Sequence, residues 1–126
     1  MRTTGRAYVW GVQLGPLTGV TVLLIDDDLD QLELAERELE GAGARVLAAP
    51  SAEAGLRYLE ANAIDVVVCD PLMPQPEGGA ILAHIRSRKD GKRDVPALAF
   101  GPLSPATLIA DVERLAQTAL ARIATS

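Results

Sequence analysis

The chain has 126 residues, 12 Lys and Arg against 17 Asp and Glu, and a formal charge of -5. That length suits one domain burying roughly two thirds of its unfolded surface, and the single cysteine, Cys69, rules out an internal disulfide. The acidic balance disfavours non-specific attraction to nucleic acid, which relies on Lys and Arg neutralising phosphates. The one basic cluster, RSRKDGKRD at 86–94, reads as a solvated loop. No apolar run approaches a membrane span, so a cytoplasmic protein is expected. Arg2 and Arg6 precede a short apolar patch, but Gly11 and Gln13 interrupt it and no clean cleavage site follows, which argues against a signal peptide.

Residues 1–19 form an N-terminal arm containing AYVWGVQL (7–14), β-rich and holding two aromatics, followed by GPLT (15–18). TVLLID (21–26) is apolar at consecutive positions, the pattern of a strand buried on both faces. Residues 30–40 follow a helical period, with Leu32, Ala35 and Leu39 on one face and Glu33 paired with Arg37 at i, i+4. Gly41 or Gly43 closes this helix. RVLAAP (45–50) is a second strand, and Ser51 caps a helix that turns Leu56 and Leu59 inward. VVVCD (66–70) is the third strand.

The period over 78–88 predicts a helix with Ile81, Leu82 and Ile85 facing the core and His84 beside that face as a surface histidine. VPALAF (95–100) is a fourth strand, and a long final helix starts with Ser104 as N-cap and Pro105 at its first position. GPLS (101–104), between the two, echoes the GPLT of the arm. Strands alternating with helices at this spacing specify an α/β protein, a three-layer α/β/α sandwich around a parallel sheet. Ligands of such sheets sit at the carboxyl ends of the strands.

At that edge the first strand delivers Asp26, Asp27 and Asp28, and the third delivers Asp70. Carboxylates about 5 Å apart repel by roughly 3 kcal/mol per pair at an effective dielectric near 20. A hard divalent cation offsets this, and an oxygen-only donor set suits Mg²⁺, which keeps waters and leaves room for a phosphoryl group. Asp28 is read as the cap of the first helix rather than as part of the site. Cys69, inside a buried strand, behaves as a small hydrophobe.

VLLIDDD, followed some forty residues later by VVVCDPLMPQPEGG, resembles the receiver domain of two-component response regulators, with Met73, Pro74 and Gly78 at the spacing that family keeps after its phosphoacceptor. The resemblance spans about residues 20–123. It implies a flavodoxin-like sheet, Asp70 as phosphoacceptor, Asp27 as a direct Mg²⁺ ligand and Asp26 as a ligand through water. The backbone carbonyl of Leu72 completes the protein's share of that coordination. It also implies a histidine kinase or phosphotransfer protein as donor, a downstream protein partner, and self-modification without turnover on an external substrate.

The pattern departs from the family at 95–108. There the fourth strand should end in Ser or Thr and lead through a helix to a fifth strand, a Lys and a Pro. In this chain the two parts are fused. Gly101 stands in the hydroxyl position counting from Pro96 and in the lysine position counting back from Pro102. A crossover on the order of twenty residues is therefore missing.

Three functions are compatible with these residues. The first is a working phosphoacceptor receiver. The second is a phosphorylation-independent pseudo-receiver that acts as a protein-binding or dimerising module. The third and most distant is an Mg²⁺-dependent phosphohydrolase using Asp26 and Asp28 as a D-x-D pair. A sheet lacking its fifth strand exposes the fourth, and the arm at 7–14 is expected to cover that edge, within one subunit or exchanged in a homodimer.

Overall fold

In the computed structural model the described residues are 7–9, 12–69, 83, 97–99 and 105–125, with side-chain surroundings defined for 14–69, 83 and 107–117. Two short strands, β1 (Ala7–Val9) and β2 (Val12–Leu14), precede the alternating elements β3 (Thr21–Ile25), α1 (Leu29–Gly41), β4 (Arg45–Ala49), α2 (Ala52–Ala61), β5 (Val66–Cys69), β6 (Ala97–Ala99) and α3 (Pro105–Thr125). β3 to β6 form one parallel sheet in the order β4-β3-β5-β6.

β3 from Val22 onward and β5 throughout are apolar and buried, because both of their faces are covered. Val22, Leu24, Val66 and Val68 face one layer, with Leu32, Ala35 and Leu39 of α1 and Leu108, Val112 and Ala116 of α3. Leu23, Ile25, Val67 and Cys69 face the other, with Leu59 of α2. Neighbouring strand residues thus alternate between the two cores, as the pleat requires. Leu23, Leu24 and Ile25 have no exposed surface, and each contributes about 1.5–3 kcal/mol by burial. The sandwich has α1 and α3 on one side and α2 on the other.

The helix ends follow the chemistry of their residues. Ser51 accepts from the Ala54 N–H at the start of α2. α1 ends in a Schellman arrangement: Ala44 N–H donates to Leu39 O and Gly43 N–H to Glu40 O, with Gly43 at φ +103°. Of the two glycines that sequence allowed as terminators, Gly43 holds the left-handed position and Gly41 is the last helical residue. The Glu33–Arg37 pair forms at 2.6 Å on the exposed face, worth a few tenths of a kcal/mol.

The position of α3 bears on the missing crossover. Going from β3 to β4 moves one way across the sheet, with α1 on one face; going from β4 to β5 moves the other way, with α2 on the opposite face. By the right-handed rule, a helix carrying the chain from β6 to a further strand beyond it would share the face of α2. α3 lies on the face of α1 instead. It follows β6 closely and closes the α1 layer, as a final helix does, without acting as a crossover.

The arm requires a correction. Residues 7–14 are not one strand laid along β6 of their own subunit; β1 and β2 pair antiparallel with each other as a separate two-stranded sheet, Ala7 opposite Leu14 and Val9 opposite Val12. Only Trp10 and Gly11 separate the strands, and a two-residue connection containing glycine favours a hairpin over an extended strand. The segment after it belongs to the core, because Leu17 has no exposed surface and packs among Val22, Leu39 and Ala42. The expected helix at 78–88 lies outside the described residues except for Ala83, which is helical and exposed. His84, Trp10 and Ser104 also lie outside them.

Candidate functional site

The register of the sheet builds the site. Ile25 is paired with Cys69 at the carboxyl ends of adjacent strands β3 and β5, and Cys69 with Ala99 on β6. The chain leaves β3 as Asp26-Asp27-Asp28 and leaves β5 as Asp70. Asp70, Leu72 and Gly101 lie outside the described residues, so of the expected site residues the structure locates Asp26 and Asp27.

These two acids have different surroundings. Asp26 is fully buried, and among the described residues it is the one charged side chain so placed. Its N–H donates to Ala49 O at 3.1 Å, which carries the pairing with β4 one residue past the strand. Its Oδ1 accepts from the Asp28 N–H at 2.9 Å, turning the chain toward α1. Asp27, at the bend, is exposed. Asp28 is occupied by the helix: its Oδ1 accepts from the Asp30 N–H at 3.0 Å and the Gln31 N–H at 3.2 Å, the N-cap role the sequence indicates. A D-x-D nucleophile pair needs Asp28 facing a substrate, and this capping leaves the phosphohydrolase reading without its second acid.

The donor set is oxygen only, and one of its carboxylates has been taken out of water. Such burial is costly unless charge or hydrogen bonds compensate it. Oxygen donors are the kind a hard divalent cation takes, and the described residues alone do not bring three acidic, histidine or cysteine ligands together. The difference in burial between Asp26 and Asp27 was not legible in the run DDD. It arises because Asp26 still lies within the sheet's pairing while Asp27 is the first residue beyond it.

At the far end of α1, burial first and the charge of Glu36 second raise the Glu40 carboxyl above its ordinary value.

The chain belongs to the response regulator receiver domain family, whose model matches residues 22–120. It is 34% identical over 84 residues to an uncharacterized 14.6 kDa protein of Leptolyngbya boryana, covering 67% of this chain and 63% of that one. It is 38% identical over 72 residues to the virulence sensor protein BvgS of Bordetella pertussis, covering 57% of this chain and 6% of that protein. The chain therefore spans less than two thirds of the length of these relatives. Among solved structures, a response regulator receiver domain protein from Clostridium thermocellum superposes with a TM-score of 0.65 at 26% identity, covering 79% of this chain and 95% of that one. The fold and the family agree with the flavodoxin-like receiver expected from the motifs. No helix among the described residues is long and apolar enough to cross a membrane.

Proposed function

We propose that this receiver domain accepts a phosphoryl group on Asp70 from a histidine kinase or phosphotransfer protein, with Mg²⁺ at Asp26 and Asp27, and signals through protein contacts. The observation that supports this reading is the Ile25–Cys69 register at the carboxyl ends of adjacent parallel strands, each residue being followed in the sequence by an aspartate. Asp27, exposed, is available for direct coordination, while Asp26, already accepting from the Asp28 N–H, suits a contact through water. The Leu72 carbonyl completes the set. When bound, Mg²⁺ would supply charge neutralisation between the carboxylate and the phosphoryl oxygens.

The chain's own residues do the rest. Asp28 fixes the first turn of α1 and, through its N–H, the rotamer of Asp26. Asp70 provides the nucleophilic oxygen, so the product is an acyl phosphate on the protein itself, with no turnover on an external substrate. The test is incubation with a small phosphodonor and Mg²⁺ followed by peptide mapping. The phosphoryl group should map to the peptide containing Asp70.

A second reading is favoured by Gly101. With neither hydroxyl nor lysine there, the chain would keep the scaffold as a phosphorylation-independent binding module. Full retention of partner binding in Asp70→Ala would favour it.

A further inference from the structure

The GPLT segment of the arm does not trail from the domain. Gly15 N–H donates to Thr18 Oγ1 at 2.7 Å and Thr18 N–H to Gly15 O at 3.2 Å, closing a tight turn. Leu17 N–H donates to Ala42 O at 2.8 Å, so the turn supplies a donor to the carbonyl of the residue capping the C-terminal end of α1. Val20 N–H returns to Leu17 O at 3.0 Å, and Arg45 N–H bonds Val20 O at 2.9 Å, tying the same segment to the first residue of β4.

The fit is close enough to require glycine on both sides. A Cβ on Gly15 would stand 2.3 Å from Ala42 O, and one on Gly43 would stand 2.6 Å from Thr18 Oγ1 and 3.0 Å from Thr18 N. Leu17 fills the core beneath. β2 ends at Leu14, the residue immediately before Gly15, so no linker separates the hairpin from this anchor.

We propose that residues 15–18 are a strap that fixes the β1–β2 hairpin to the C-terminal end of α1 and couples its position to that helix. α1 has 13 residues and is therefore roughly 20 Å long. Its other end is the Asp28 cap beside Asp26. Loosening the strap releases one end of a rod whose opposite end shapes the acidic edge. The docking of the strap is independent of the phosphoacceptor reading; only the functional value of its reach to Asp26 rests on it.

The test is amide hydrogen exchange and amide chemical shifts on the full chain, comparing wild type with Gly15→Ala, which drives a methyl into Ala42, with Leu17→Ser, and with Thr18→Val, which removes only the hydroxyl acceptor. The expected wild-type result is a Leu17 amide protected within about tenfold of those of β3. Gly15→Ala and Leu17→Ser should lose at least tenfold of that protection, while Val67 on the far core keeps its own. The amides of Asp28, Asp30 and Gln31 should shift with the strap. Thr18→Val should show the same shifts at smaller amplitude, and it serves as the readout where a harsher variant fails to fold. A Leu17 amide that exchanges like free coil in the wild type would overturn the strap. Loss of protection at Leu17 with no movement at Asp28–Gln31 would overturn the coupling. The expected shifts in a chain that never accepts a phosphoryl group would overturn the proposed function and leave the strap standing.

Discussion

Ile25 and Cys69 are register partners at the carboxyl ends of neighbouring parallel strands, and each is followed in the chain by an aspartate. Both strands are buried on both faces, so neither can slip without moving a complete apolar set. The pairing that holds the core together therefore also sets Ile25 and Cys69 side by side, the residues that precede Asp26 and Asp70 in the sequence.

Mg²⁺ should bind weakly at the acidic edge whether or not phosphorylation follows, since clustered carboxylates are relieved by a cation in either case. Titration followed by amide shifts should move Asp26, Asp27 and their neighbours. The response should vanish in Asp27→Ala, whereas a response untouched by that substitution would place the cation elsewhere.

Asp28→Ala should cost about 1 kcal/mol of stability, the usual loss for an N-cap acceptor, because it strips the bonds to the Asp30 and Gln31 amides. Denaturant unfolding measures this directly. The same variant should still take up a phosphoryl group, and abolished uptake in a folded variant would return Asp28 to the site.

Phosphorylation should leave the conformation largely unchanged. The switch in ordinary receivers draws a hydroxyl and a lysine toward the phosphoryl oxygens, and Gly101 offers neither. Without differential contacts a modification cannot shift an equilibrium between two states. Widespread amide shifts on modification, reaching α2 and α3, would contradict this.

Much of the fold was legible because its signals are local. VLLI and VVVC are continuous apolar runs, the pattern of strands in a sheet covered on both sides. Asp28 and Ser51 precede amphipathic stretches as caps, and both act as caps. The arm's pairing within its own subunit was misread because strand composition does not identify a partner, and β1 and β2 pair with each other. The docking of Gly15 to Thr18 was illegible for a different reason: a backbone-to-backbone approach depends on Ala42 and Gly43, well over twenty residues away, and leaves no periodic trace. At the site, the residue types pointed to the edge, while the contrast between buried Asp26 and exposed Asp27 needed the register to appear.

The stability of the domain should respond only slightly to pH through Glu40, which is exposed and therefore screened by solvent. Burial, and secondarily Glu36, raise its carboxyl, so the folded chain holds that proton more tightly than the unfolded chain. The favourable contribution is complete below the ordinary carboxylate value and is lost as pH rises through the raised one. Glu36→Gln should bring the Glu40 titration midpoint part of the way down in an NMR titration and raise the melting temperature near neutral pH relative to acid. A midpoint that stays put would show that Glu36 has no part in the shift.

The most direct measurement is the intact mass of the protein after exposure to a small phosphodonor, with and without Mg²⁺, for wild type, Asp27→Ala and Asp70→Asn. The account predicts a gain of one phosphoryl group in the wild type only when Mg²⁺ is present, a strongly reduced gain in Asp27→Ala and none in Asp70→Asn. A wild-type mass that does not change, or a gain that survives in Asp70→Asn, would contradict it.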